Sequence, residues 1–479
     1  MNIVVIGVVI VYLIAMLAIG YYSSTKIKSN EDFMVAGRNL GPLLLAGTLA
    51  ATEIGGGSSL GVVEKAYGKW GLGASWYVIT MGIAFVILSF IAHKFRAAEV
   101  KTVPEYFRRR YGKSAGLFTA IIMLLPLIGL TASQFIASAT IVSVMLNIEF
   151  KLAVTIVAVV VTVYAIMGGL WAVALTDFVQ VFLIVIGMIL AVPFAMNLAG
   201  GWNNVVSNVP ADTFSMIKGI SPSTIIGLII MYVASFTVGQ EAVSRFYAAK
   251  NGKVAIKGSA ISAVINFVYA FVPTILGIIT LALINMGKLN GDVILKDGAK
   301  YALPHVAMVA MPAIIVGLLF SGIISATMSS ADSDLLGAGS IFANDIYKIY
   351  IKPHAKSDEV MKVTKITMLV VGLFGWIIAI SNIADIITIL MFSFTLRAAG
   401  AFFPYVFGLY WKKASIQGAI ASLISGSIVV ILFEHIKGLK SLGIEPIIPG
   451  LIVSFIAFMV FTYMFPSDRE NCDLIPEED

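Results

Sequence analysis

Stretches of about twenty apolar residues recur along this chain from Ile3 to Phe465, and they constrain its fold more than any other feature. A helix needs roughly twenty such residues to cross a ~30 Å hydrocarbon core. The stretches lack the ten-residue alternation of a membrane β-barrel. With 59 % of its 479 residues hydrophobic and 12 % charged, the chain could not cover a water-soluble surface. The sequence therefore predicts an all-α polytopic membrane protein. Thirteen spans are expected, near 3–22, 41–66, 72–93, 115–146, 151–168, 172–199, 222–244, 256–286, 306–338, 362–381, 384–410, 415–434 and 446–465. The first apolar run has no basic segment before it and reads as a membrane helix rather than a cleaved leader. After Phe465 only a short polar tail is expected, with no soluble catalytic domain.

An odd number of spans puts the termini on opposite sides, and basic residues decide which side is which. Lys26, Lys28, Arg38, the cluster HKFRAAEVKTVPEYFRRRYGK, Lys250, Lys253 and Lys257 fall on one side. The segment YKIYIKPHAKSDEVMKVTK, Lys412, Lys413 and Arg469 join them. The positive-inside bias predicts the N-terminus outside, the C-terminus inside, and a multi-pass protein of the cell membrane. These loops account for the net charge of +6, so no nucleic-acid partner is expected. The expected partners are the bilayer and a small organic solute, with no obligatory protein partner. Cys472 is the only cysteine, which excludes an intramolecular disulfide.

Two spans are interrupted alike. The second contains ATEIGGGSSLG, with Glu53 and the run Gly55–Gly57, and the seventh contains Gly239, Gln240 and Glu241. They lie five spans apart, and five is odd, so two five-helix halves would be inverted relative to each other. Polar, glycine-interrupted spans at matching places in two halves point to an inverted-repeat secondary transporter. The expected organisation is one transmembrane unit over 1–479. It has an extra helix at 3–22, repeats over 41–199 and 222–410, two further helices over 415–465 and a cytoplasmic tail at 466–479.

Three polar clusters sit inside these spans. Unwound backbone around Gly55 and Gly56 would expose carbonyls suited to a small hard cation and admit a ligand closely. Glu53 could neutralise a cationic group, take a proton or pair with a basic side chain. Close helix packing accounts for the glycines equally. In SGIISATMSSADSDLLGAGS, Ala326, Ser329, Ser330 and Ser333 follow i, i+3, i+4, i+7 and share one helical face, with Asp332 beside it and Asp334 farther round. Oxygen-only ligation of this kind suits Na⁺ and not a transition metal, although small residues also join membrane helices. In GGLWAVALTDFVQ, Gly168 and Gly169 mark a tight turn, and Asp177 could meet Asp332 and Ser333 around a second cation or cap its own helix. Glu53, Gly55, Gly56, Ser58, Trp76, Tyr77, Gln134, Gly239 and Gln240 are the candidates for the solute. Arg397 is read as structural, near a span end. His93, His305, His354 and His435 are scattered over span ends and loops, and no HExxH or Walker-type loop occurs. Neither an enzyme nor an organic cofactor is expected.

Taken in order, DFMVAGRNLGPLLLAGTLAATEIGGGSSLG, GGLWAVALTDFVQV, GQEAVSRFYAAK, SATMSSADSDLLGAGSIFANDIY and AGAFFPYVFGLYWKKAS resemble the sodium:solute symporter family across nearly the whole chain. The resemblance implies a LeuT-type five-plus-five inverted repeat with broken helices, moving a small organic solute with Na⁺ as the co-transported ion. It implies a principal sodium site of the Ala51, Ile54 and Ala326 carbonyls with the Ser329 and Ser330 hydroxyls. Some members resemble a two-sodium design, which would use Asp177, Asp332 and Ser333 here. The motifs are similar to both the proline and the choline branches. Glu53 and Gly239 stand where choline relatives carry tryptophans, and Glu241 replaces the proline of a GQP variant. A carboxylate in the cavity favours an amino-bearing solute, such as an amino acid like proline or a small amine, while a sugar or an anionic solute, which Arg397 could serve, stays open. The alternatives are a proton-coupled carrier using Glu53, Asp177 or Asp332, and a transporter-like ligand sensor.

Overall fold

The computed structural model describes residues 2–24, 34–292, 294 and 298–467. Lys26, Lys28, Arg469, Cys472 and all but the first two residues of the tail lie outside the described residues. The described chain is helical: α1 (Ile3–Ser24), α2 (Pro42–Glu53), α3 (Trp76–Ala97), α4 (Val103–Tyr111), α5 (Lys113–Leu146), α6 (Phe150–Ala199), α7 (Pro222–Val238) and α8 (Gln240–Ala248). There follow α9 (Gly252–Tyr269), α10 (Phe271–Asn285), α11 (Ala302–Ala310), α12 (Ala313–Ile341), α13 (Ser357–Ser381), α14 (Ile386–Tyr410), α15 (Ile416–His435) and α16 (Ile447–Met464).

Among the described residues, eleven helical stretches are long and apolar enough to cross a membrane, and α7 with α8, bent by 51° at Gly239, makes a twelfth. The expected second span is not one rod. It divides into α2 and a segment over 57–70 that leads through Gly71 towards α3, so composition alone joins that segment to the third span. Counting α2 with 57–70 as its own broken crossing gives the thirteenth. The turn expected at Gly168–Gly169 is also modified, because helical backbone runs on from Phe150 to Ala199. Two stretches of it, Phe150–Met167 and Val173–Ala199, are each long and apolar enough to cross a membrane.

The connections sort to two ends of the bundle. At one end Arg38 reaches the carbonyls of Tyr247, Glu99 and Val100, and Arg96 that of Ala249. Arg110 there bonds the carbonyls of Gly408, Trp411 and Lys412, and the Ser467 amide bonds that of Lys413. At the other end Trp76 meets Met216, Lys65 meets Asp385, and Thr224 meets Glu445. The basic connections are thus gathered at one end, as a positive-inside protein requires.

The two halves match in reverse. α2 starts at the basic end and breaks after Glu53, whereas α7 starts at the opposite end and breaks at Gly239. A short helix precedes the third span of each half, α4 before α5 and α11 before α12. α12 is buried along almost its whole length, from Val316 to Ile341. It packs on α6 and α5 and faces α2, and its serines therefore belong to the interior.

Candidate functional site

α2 begins on Pro42, whose missing N–H costs nothing in a first turn, and it ends at Ile54 with φ −80° and ψ 75°. The Gly55 amide turns back to the Glu53 carbonyl at 3.0 Å, and helical backbone resumes over Gly57–Gly61 in wide π-type turns. Such turns concentrate at functional sites. Gly55 is required by close approach, because a Cβ there would lie 2.5 Å from Ser330 Oγ and 2.8 Å from Gln134 Oε1.

Side chains from three helices take up the loosened backbone. The Gly56 amide donates to Gln134 Oε1 at 2.8 Å, and the Ser58 hydroxyl reaches the Glu53 and Gly55 carbonyls at 3.3 and 3.2 Å. Ser330 Oγ donates to the Thr52 carbonyl at 2.7 Å and lies 3.1 Å from the Ala326 carbonyl. That hydroxyl ties the end of α2 to α12. Ala51, Ile54, Ala326 and Ser330 therefore occupy the end of one broken helix and the turn of α12 facing it. Ser329 points the other way, donating to Asp177 Oδ1 on α6 at 2.5 Å. The donor set here is buried and consists of oxygens alone, which fits a small hard cation such as Na⁺.

The second expected cation position is different. Arg245 on α8 is 1 % exposed and runs into it. Its Nη2 lies 3.3 Å from Asp177 Oδ2 and 2.5 Å from Ser333 Oγ, and its Nε lies 3.1 Å from Thr48 Oγ1. Thr48 Oγ1 itself donates to Asp177 at 2.5 Å. The oxygens of Asp177 and Ser333 are thus met by the chain's own guanidinium. Among the described residues Asp332 makes no bond to either of them, and its Oδ1 is buried without a partner. Expected together around an ion, Asp177, Asp332 and Ser333 are instead divided by Arg245.

Next to the α2 break lies a narrow cavity with about 20 Å³ of free space, roughly one water's worth. Glu53, Gly55, Ser58, Tyr77 and Gln134 line it, as do Thr52, Ser330, Phe394, Glu241 and Asp334. Other expected solute contacts lie elsewhere. The Trp76 indole donates to the Met216 carbonyl at the outer end, and Gln240 bonds the Lys101 carbonyl and the Val103 amide at the basic end. Gly56 packs against Ala137, and Gly239 against Arg397 and Glu241.

Arg397 is not near a span end. It lies in the middle of α14, 1 % exposed, and forms a two-pronged pair with Glu241, Nη1 to Oε2 at 2.7 Å and Nη2 to Oε1. Its Nε donates to Ser235 at 2.7 Å. Sequence reasoning missed this pair and left Asp334 off the site. The signal available for Asp334 was its position four residues after Ser330, one helical turn along the same α12 surface.

The profile of the sodium:solute symporter family matches residues 33–426. The osmoregulated proline transporter OpuE of Bacillus subtilis (strain 168) is 27 % identical over 465 residues, which covers 94 % of this chain and 92 % of that protein. The sodium/proline symporter of Escherichia coli (strain K12) is 27 % identical over 470 residues, 95 % and 92 % of the two chains. A solved Na⁺-coupled sialic acid symporter, substrate-bound and outward-open, superposes with a TM-score of 0.82 at 22 % identity, covering 97 % of this chain and 98 % of that one. This likeness shows the fold, an all-helical LeuT-type membrane architecture. The family profile begins just before the first broken helix and runs through both halves of the bundle, so the chain belongs to the sodium:solute symporter family and is a multi-pass Na⁺-coupled solute symporter, not an enzyme.

Proposed function

We propose that this symporter imports an amino-bearing solute, an amino acid such as proline or a small amine, by alternating access. The observation that carries the reading is the cavity at the α2 break, lined by Glu53, Glu241 and Asp334 and adjoining Ser330. Carboxylates are costly inside a bilayer and persist there when they meet cations. In this reading Na⁺ sits among the Ala51, Ile54 and Ala326 carbonyls with the Ser329 and Ser330 hydroxyls. Ser329 then turns from Asp177 or shares its hydroxyl with it. The ion bridges α2 and α12 and orders the broken helix against which the solute packs. Sodium and solute should raise each other's affinity by the same factor.

The test is thermal stabilisation of the purified protein by amino acids, amines, sugars and carboxylates, each in NaCl and in KCl, with Ser330→Ala alongside. Stabilisation by an amino-bearing solute should require Na⁺ and weaken about tenfold or more in the variant. Equal stabilisation in KCl would sink the reading. A second reading, a proton-coupled carrier, is favoured by the unpartnered oxygens Glu53 Oε1 and Asp332 Oδ1. Stabilisation that follows pH and ignores Na⁺ would establish it.

A further inference from the structure

We infer that the solute is a small organic cation without a carboxylate, in the form of a slender alkyl diamine. The inference rests on taking the Glu53–Asp334 cavity as the solute site, and it follows from which charges there are already matched. Three carboxylates, Glu53, Glu241 and Asp334, line the cavity and are 7 %, 3 % and 3 % exposed. Of the two guanidiniums near them, Arg245 is taken up by Asp177, and Arg397 has both prongs on Glu241 and its Nε on Ser235, and lies 4.9 Å over the Phe394 ring. Arg397 and Glu241 therefore cancel, and Gly239 lets them do so, since a Cβ there would lie 2.6 Å from Arg397 Nη2 and 2.7 Å from Glu241 Oε1.

Glu53 and Asp334 are left over. Among the described residues Glu53 Oε1 is buried without a partner, and Asp334, 3 % exposed and lining the same cavity, is in no ion pair. They come from opposite walls, the break of α2 and the middle of α12, and both face the cavity. Two unmatched carboxylates in a water-poor site select a ligand that brings two positive charges. A zwitterionic amino acid brings one positive charge and a carboxylate that no side-chain cation of the cavity is free to meet. Such an unpaired like charge is how a site rejects a competitor. The remaining wall suits an alkylammonium. Tyr77 stands edge-on to Tyr232 at 5.5 Å, and Phe394 lies 5.5 Å from Tyr232, so aromatic rings flank the carboxylates.

The test is a thermal-shift titration of the full chain in NaCl with 1,4-diaminobutane, butylamine, L-proline and N-acetylneuraminic acid. It is repeated on Glu53→Gln and Asp334→Asn, which remove charge without removing volume. 1,4-Diaminobutane should stabilise saturably and bind about tenfold or more tighter than butylamine. Each variant should weaken the diamine about tenfold or more while melting no lower than the parent without ligand. Binding of L-proline with no response to either amine would overturn the inference and leave the amino-bearing reading standing. Binding of N-acetylneuraminic acid alone would overturn both. Diamine affinity unchanged in both variants, or no response to any amine, would likewise overturn the inference.

Discussion

Arg245 and Arg397 sit among the helices with 1 % of their surface exposed, an arrangement that a bilayer tolerates only when each charge is answered. Arg245 is answered by Asp177, with Ser333, Thr48 and the Glu241 carbonyl taking further N–H groups. Removing one partner from a buried pair costs more than removing both, because the survivor stays charged and unsolvated. Arg245→Met is expected to destabilise the protein by about 3–5 kcal/mol. Asp177→Asn in the same chain should return a large part of that loss. A double-mutant cycle of unfolding in detergent checks this, and additive losses would mean the two groups do not depend on each other. Neither arginine's role was legible in the sequence. Arg245 stands five residues before Lys250, in what reads as the rim of a basic loop, and only the bend at Gly239 carries it inward.

The broken helices show what a short motif can and cannot specify. Gly55–Gly57 and Gly239 mark where helical bonding is loosened, and both breaks appear there. Which groups meet the loosened backbone depends on α5 and α12, whose Gln134 and Ser330 come from 78 and 278 residues away along the chain. α14 has a more local device. Asp385 caps it, accepting from the Thr388 amide at 3.0 Å and hydroxyl at 2.6 Å, and pairs with Lys65 at 3.2 Å. Burial works to raise the proton affinity of this carboxyl, but the Thr388 bonds and the Lys65 ammonium outweigh it and hold it below the usual carboxylate range. A carboxyl with a depressed folded-state pKa stabilises the fold at neutral pH and loses that contribution as pH falls through the folded value. Asp385→Ala should therefore cost about 1 kcal/mol at pH 7. The gap in melting temperature between parent and variant should close only well below pH 4, and a gap independent of pH would assign the effect to packing.

Across the bundle as a whole, the broken elements of the inverted halves are tied to their neighbours by the two buried arginine pairs, Arg245 of α8 to Asp177 of α6 and Glu241 of α8 to Arg397 of α14. The collection of basic connections at one end sets the orientation that a positive-inside protein should adopt. Lys253→Cys at that end and Asn203→Cys at the other are both exposed positions. In intact cells, with Cys472 replaced by serine, an impermeant maleimide is expected to label the Asn203 variant and spare the Lys253 variant. The reverse pattern would invert the topology and with it the assignment of which side the solute enters from.

Span number, membrane residence, the two break points and the basic end were readable from the chain because each depends on local hydropathy, charge or backbone freedom within some twenty residues. The spacing of Ser329, Ser330 and Ser333 also places them along one helix, but it did not reveal that Ser330 bonds the end of α2 while Ser329 turns to Asp177. What the chain order concealed was every partnership across helices: Arg245 standing between Asp177 and Ser333, Arg397 neutralising Glu241, Asp334 facing Glu53, and Trp76 and Gln240 turned away to opposite ends. Those partnerships follow from bends and packing that bring together residues 68 to 281 positions apart. A buried charge takes its meaning from the neighbour that answers it, and that neighbour is chosen by the fold.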